Sequence, residues 1–252
     1  MKVSLVQFSP EWENPEVNTR KIDELMGNQI DSDLLIFPEL TLTGFTMNSH
    51  LFAEEIDGIS IQYFIELARK NKINIIAGFI EKYENKLFNT AIHFDRSGLI
   101  CARYRKIHPY SYAGEDKYYN DSREIVITKV DGKLVGLSIC YDLRFPELFR
   151  FYAKKNVEIM VNIANWPEAR IHHWTHFLKS RAIENLFYMA GCNRIGEDPQ
   201  NIYTGNSAIY DPMGNNLVTA PDKEGIFTME FDLEKVKEYR DKFGFIRDIR
   251  LI

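Results

Sequence analysis

A thiol, a carboxylate and an ammonium group stand at the ends of three apolar runs in this sequence, at Cys140, Glu39 and Lys106. Cys140 follows Leu134, Val135, Leu137 and Ile139, an apolar strand of the kind covered on both faces. Pro146 then suits the first turn of a helix, with Leu148, Phe149, Tyr152 and Ala153 as its apolar stripe. A thiol in such a strand–turn–helix junction lies near free backbone N–H groups and a positive dipole end. Those groups favour the thiolate and can receive an oxyanion. Taken alone, a cysteine there also reads as a small core hydrophobe. Glu39 ends the run Leu34-Leu-Ile-Phe-Pro-Glu39, and Lys106 ends the strand that starts at Leu99, just before Ile-His-Pro109. A nucleophile, a proton acceptor and a fixed cation are what hydrolysis of an unreactive amide demands.

In this order and context, Glu39, Lys106 and Cys140 resemble the Glu-Lys-Cys triad of the nitrilase superfamily, the carbon–nitrogen hydrolases. The resemblance runs from Val3-Ser-Leu-Val-Gln-Phe8 to Phe243-Gly-Phe-Ile-Arg-Asp248. It includes Cys140-Tyr-Asp-Leu-Arg-Phe-Pro146, Ala164-Asn-Trp-Pro167, Ser180-Arg-Ala-Ile-Glu-Asn185, Met189-Ala-Gly-Cys-Asn-Arg194 and Tyr210-Asp-Pro-Met-Gly214. It is nearest to the ω-amidase-like branch, which hydrolyses 2-oxo-dicarboxylic acid monoamides such as 2-oxoglutaramate and 2-oxosuccinamate. The resemblance implies an α/β fold, an αββα four-layer sandwich, paired through helices into a homodimer or higher homo-oligomer. It implies Cys140 as nucleophile, Glu39 as proton shuttle, and Lys106 with the Tyr141 N–H as oxyanion donors. Glu115, in Tyr112-Ala-Gly-Glu-Asp116, matches a second glutamate of related enzymes that orients the lysine. The chemistry runs through a thioester and needs no metal or organic cofactor. An N-carbamyl amine or amino-acid hydrolase would use the same triad, and a non-catalytic interaction module could retain the fold.

A monoamide of an oxo-diacid carries a carboxylate away from the scissile bond, and arginine binds carboxylates bidentately. Arg144, Arg170, Arg181 and Arg194 are candidates. Phe45, Tyr112, Tyr141 and Trp166 neighbour the motif loops and are candidate pocket walls. Asp142 reads as a turn or helix-start hydrogen-bond acceptor. His172 and His176 are spaced i,i+4 and could face one metal, but no third ligand is evident, so packing and surface roles are expected. Cys101 and Cys192 read as structural thiols.

The elements that must position these residues alternate between strand and helix patterns. Strands are expected at Val3 to Phe8, Leu34 to Phe37, Val157 to Ile163, 188–193, 204–210 and 225–231. Ile73 to Ile80 and Leu87 to Phe94 read as a hairpin around the polar turn Glu81-Lys-Tyr-Glu-Asn-Lys. Asn14 should cap a helix opening at Pro15, Ser60 a second and Asp232 the last; another helix spans 171–187. That helix and the tail after residue 232 are expected either at a partner surface or completing the core.

At 252 residues, 45% hydrophobic and 27% charged, the chain suits one α/β domain over 1–252. Its formal net charge of −5 argues against broad binding to nucleic acid or anionic membrane, yet permits a local cationic pocket. No apolar run approaches the ~20 residues of a membrane span. Three scattered cysteines fit neither a disulfide framework nor a zinc ribbon, so a reducing cytoplasmic setting is expected.

Overall fold

The computed structural model describes residues 1–27 and 30–251. The first part runs β1 (Lys2–Gln7), α1 (Pro15–Met26), β2 (Leu34–Ile36), α2 (Ser49–Phe52) and α3 (Ile59–Asn71), then β3 (Asn74–Tyr83), β4 (Lys86–Phe94) and β5 (Ile100–Arg105). The middle runs β6 (Ile127–Val130), β7 (Lys133–Ile139), α4 (Pro146–Lys154), β8 (Ile159–Ala164), α5 (Ile171–Asn185) and β9 (Tyr188–Asn193). The last part holds β10 (Ile195–Glu197), β11 (Ile202–Thr204), β12 (Ala208–Tyr210), β13 (Asn216–Thr219), β14 (Gly225–Glu230) and α6 (Glu234–Phe243).

Two six-stranded sheets form, in the orders β14-β1-β2-β3-β4-β5 and β13-β12-β9-β8-β7-β6. Each has three parallel strands at its centre, β1-β2-β3 and β7-β8-β9, flanked by antiparallel ones. Parallel strands need both faces covered, which is why their residues are almost continuously apolar. Val3, Leu5, Leu34 and Ile36 of one sheet pack on Val135, Leu137, Val161 and Ala190 of the other. The outer face of the first sheet receives Ile22 of α1 and Phe64 and Leu67 of α3. The outer face of the second receives Phe149 and Tyr152 of α4 and Trp174 and Leu178 of α5. The layer order is therefore αββα, the sandwich that the resemblance implies. The stripe of α5 completes this core, and Ile183, Phe245 and Leu251 remain exposed.

Several local signals hold at the atomic level. Asn14 Oδ1 accepts from the Val17 N–H at 3.2 Å, and Pro146 opens α4. Asp232 does not cap α6: Leu233 holds the capping position, and Asp232, one residue earlier, accepts from the Glu234 N–H at 3.0 Å in a local turn. Other expectations need correction. The hairpin strands continue through the polar stretch to the pair Tyr83–Lys86, leaving only Glu84 and Asn85 in the turn. Glu81 is buried there because Arg103, Arg105 and Thr90 all donate to its carboxylate. Ser60 does not cap α3, which starts one residue earlier; its N–H and hydroxyl both donate to Glu54. The strand expected at 204–210 is broken by the positive φ angles of Gly205 (67°) and Asn206 (57°).

One buried polar link joins the sheets. His93 of β4 is fully buried, with Nδ1 2.8 Å from the Thr128 hydroxyl and Nε2 3.2 Å from Asn74 Oδ1. Burial lowers its pKa from 6.5 to about 4. The folded state thus resists a proton that the unfolded chain takes up, so stability is complete above pH 6.5 and falls as pH drops toward 4. That difference is worth about 3 kcal/mol. Urea denaturation across this range should show the loss, and His93→Gln should flatten it; an unchanged acid slope would remove His93 from the account.

Candidate active site

The reactive residues sit beyond the carboxyl ends of strands, where open α/β sheets place their sites. After β2 the chain turns sharply at Leu40, with φ 43°, and Thr41 anchors the turn: its N–H donates to the Gly78 carbonyl of β3, and the Gly78 N–H donates to its hydroxyl. A Cβ at Gly78 would lie 2.5 Å from the Leu40 nitrogen, so only glycine lets β3 approach the Glu39 turn. Lys106 continues β5, its N–H donating to the Asn89 carbonyl at 2.8 Å. Cys140 ends β7 with φ 44°, a strained junction for a residue bearing a side chain. It opens a 3-10 turn, Cys140–Arg144, that separates it from α4. This is the tight turn, between the strand end and the helix opening at Pro146, in which the sequence pattern puts the thiol.

The side chains of Glu39, Lys106 and Glu115 converge, each essentially without solvent exposure. Lys106 Nζ lies 2.8 Å from Glu39 Oε1 and 2.9 Å from Glu115 Oε2. Asn89 Nδ2 donates to both carboxylates, at 2.7 Å to Glu39 and 2.9 Å to Glu115. The Tyr110 N–H donates to Glu115, and the Asn165 N–H to Glu39 Oε2 at 2.8 Å. Asn89, Tyr110 and Asn165 were absent from the sequence-derived set. Asn165 lies in the Ala164-Asn-Trp-Pro167 run, where nothing local distinguishes a clamp from a turn residue.

Burial alone would strip the Lys106 charge, but Glu115 and Glu39 outweigh it and hold the pKa well above the usual lysine value. Glu115 is pushed up by burial and by Glu39, against the pull of Lys106. The Cys140 thiol is pushed well above its ordinary value, first by burial and then by the Glu39 charge. The expectation that its surroundings favour the thiolate is therefore overturned. Withdrawal from solvent is the larger cause, and the neighbouring carboxylates add to it against the pull of Lys106.

A cavity of about 430 Å³ opens onto Cys140, lined also by Phe45, Tyr110, Tyr112, Ala113, Tyr141, Arg144, Asn165, Trp166, Pro167, Arg170, Gln200, Asn201 and Tyr203. All the aromatic wall candidates lie here, with Trp166 buried and Tyr112 at the mouth, 84% exposed. Gln200 and Asn201 come from the β10–β11 hairpin, which sequence reading missed. The four arginines separate. Arg181 donates to the Leu143 carbonyl and to Glu184, and Arg194 to the carbonyls of Ile195, Pro10 and Glu197, so both hold the framework. Arg144 rests over Trp166 at 4.9 Å, and Arg170 over Tyr110 at 5.7 Å. Neither forms an ion pair with a carboxylate among the described residues.

Asp142 is a turn acceptor, as its position suggested, receiving the Ile139 N–H at 2.9 Å. His176 Nδ1 donates to the His172 carbonyl at 2.6 Å. Neither ring lines the cavity, and among the described residues no cluster of His, Cys, Asp or Glu suits a metal ion. Cys192 is buried, donating to the Ile36 carbonyl at 3.1 Å, whereas Cys101 is exposed on β5 rather than packed as a structural thiol.

A family model described as carbon-nitrogen hydrolase matches residues 2–241. The chain belongs to that family. This hydrolase is 34% identical to a 2-oxoglutaramate amidase of Bacillus subtilis, over 98% of this chain and 97% of the relative. It is 32% identical to the omega-amidase YafV of Yersinia enterocolitica, over 98% and 96% of the two chains. Its fold matches a CN-hydrolase superfamily protein of Xanthomonas campestris whose active site carries an arsenic adduct. The TM-score is 0.95, at 30% identity, covering 100% of this chain and 98% of the other.

Proposed function

We propose that this carbon–nitrogen hydrolase is an ω-amidase, one domain acting through Cys140 on 2-oxo-dicarboxylic acid monoamides. The observation that carries the reading is Lys106 Nζ, buried between Glu39 and Glu115 beside a cavity that reaches the Cys140 thiol. The names of its relatives support the substrate class.

In the first half-reaction Glu39 takes the thiol proton as sulfur attacks the amide carbon. The C–O double bond opens to an oxyanion that Lys106 and the Tyr141 N–H stabilise. Glu39 then returns the proton to nitrogen, the C–N bond breaks, and ammonia leaves a thioester. Water enters next, giving its proton to Glu39 while its oxygen attacks the thioester. Collapse breaks the C–S bond, releases the carboxylic acid and restores the thiol. Glu115 keeps Lys106 charged and aimed. A protonated resting thiol suits this scheme, because the base that removes its proton is built into the site.

Arg144 is assigned to the distal carboxylate of the substrate. It lies four residues beyond Cys140, in the cavity, with its guanidinium carbon 4.9 Å from the Trp166 ring centroid and without a carboxylate of its own. Its Nη2 lies 3.3 Å from His173 Nδ1, and burial followed by the charges of His172 and Arg144 lowers the His173 pKa. His173 therefore accepts rather than competes for the substrate anion. Arg170, Phe45 and Tyr112 complete the walls.

The wild-type enzyme should prefer 2-oxosuccinamate over its methyl ester by tenfold to about a hundredfold in kcat/KM, the worth of one charge-assisted pair at about 1–3 kcal/mol. Arg144→Met should erase that preference while leaving turnover of the neutral ester near wild type. Equal efficiency on acid and ester in the wild type would reject carboxylate recognition. Carbon dioxide release from carbamyl compounds would instead mark an N-carbamyl hydrolase.

The proposal also places the enzyme in the cytoplasm, where Cys101, Cys140 and Cys192 stay reduced, and makes it a homodimer. Among the described residues no helix is long and apolar enough to cross a membrane. The exposed Ile183 and Phe245, beside α5 and the C-terminal tail, support a partner surface there.

A further inference from the structure

The carboxylate of Asp142 does more than close its own turn. It is fully buried, and Oδ2 accepts from the Tyr104 hydroxyl at 2.8 Å as well as from the Ile139 N–H at 2.9 Å. Oδ1 accepts from the His108 N–H at 3.0 Å and from His108 Nδ1 at 2.8 Å, which requires the proton on Nδ1. Tyr104 and His108 flank Lys106 two residues to either side. Tyr104 lies in β5 of the first sheet, whereas Asp142 belongs to the turn after β7 in the second. One carboxylate therefore grips both flanks of Lys106 from the turn that carries Cys140. The His108 ring also lies flat on Phe145, with centroids 3.7 Å apart, and Phe145 meets Tyr141 edge-on at 5.3 Å.

We propose that Asp142 and His108 are positioning residues for the hydrolysis, a strap that sets the Lys106 ammonium against the Cys140 thiol and the Tyr141 N–H. This rests on the catalytic reading above. Apolar packing between the sheets resists separation but specifies lateral position weakly, and the His93–Thr128 link ties β4 to β6, not the end of β5 to the Cys140 turn. Directional hydrogen bonds to one buried acceptor supply that missing constraint. They also oppose relaxation of the positive φ at Cys140, since the Ile139 N–H and the Asp142 side chain bracket that residue. A misplacement near 1 Å at reacting groups can cost about 10² in rate, so a strap remote from substrate acts on kcat.

Two variants of the full-length enzyme separate the hydrogen bond from the stacking. His108→Phe keeps a flat ring on Phe145 and loses the donor. His108→Asn keeps a donor where Nδ1 stood and loses the stack. With 2-oxosuccinamate, His108→Phe should lower kcat by tenfold to about a hundredfold with KM within about twofold. Alkylation of Cys140 by iodoacetamide, read by peptide mass, should slow with it, because a displaced Lys106 lowers the thiol pKa less. His108→Asn should stay within about threefold of wild-type kcat, whatever its thermal midpoint. Undiminished kcat in His108→Phe, or an equal loss in both variants, would overturn the strap. Cys140→Ala serves as the parallel control: turnover surviving in it would overturn the catalytic reading itself, independently of the His108 results.

Discussion

Replacing Cys140 by alanine is expected to lower kcat by about 10⁴-fold or more, because loss of a covalent nucleophile removes the whole thioester route. The fold should survive. The residue is only half-buried, and the approach of its thiol to the Asn165 carbonyl is long, at 4.0 Å. Intact-mass analysis of wild-type enzyme quenched during turnover should show an acyl adduct, and peptide mapping should place it on Cys140. Cys101→Ala and Cys192→Ala provide the contrast. Cys101 is exposed on β5, so its loss should leave kcat unchanged; Cys192 is packed in the core, so its loss should cost stability rather than chemistry. An adduct found on either of these would overturn the nucleophile assignment.

Lys106→Met is expected to lower kcat by about 10²–10³, the usual consequence of removing one donor to a developing oxyanion. It should also destabilise the protein by about 3–5 kcal/mol, since Glu39 and Glu115 are left facing each other without a cation. Two buried like charges raise the folded-state pKa above its unfolded value, so the folded form binds a proton more readily. Stability of the variant relative to wild type should therefore improve as pH falls from 7.5 toward 5, and a flat difference would argue against the shared ion pair. Glu39→Gln behaves differently. Turnover should fall at least as far, because the proton shuttle is gone. Iodoacetamide should nevertheless alkylate Cys140 no more slowly than in wild type, since the Glu39 charge is one of the groups that hold the thiol pKa up. Parallel loss of both activities would indicate collapse of the site rather than loss of a base.

Much of this was legible in the chain. Leu34 to Ile36, Val135 to Ile139 and Ile159 to Ala164 are buried on both faces, and continuous apolar runs ending at Pro, Glu or Cys mark such strands plainly. Asn14 and Pro146 marked helix starts because capping is a contact within a few residues. Errors arose where a distant partner overrode a local preference. Glu81 reads as a turn residue, yet three cross-strand donors make it a buried strand residue. Ser60 reads as a cap, yet Glu54 takes both its donors.

The sequence by itself determined which side chains could do the chemistry, because Glu39, Lys106 and Cys140 each end an apolar strand, and strand ends are written locally. Glu115 entered through the family resemblance, and the aromatic walls through their place beside the motif loops. Only the tertiary structure decided how these groups act on one another. The clamps Asn89 and Asn165 lie 50 and 126 residues from Glu39, too far apart for any spacing to reveal. The choice among arginines depended on what each already holds: Arg181 and Arg194 donate to backbone carbonyls inside the fold, whereas Arg144 and Arg170 face the cavity. The protonation of Cys140 was reversed for the same reason. Backbone dipoles near the thiol can be inferred from a turn, but the net charge around it depends on carboxylates brought in across the sandwich.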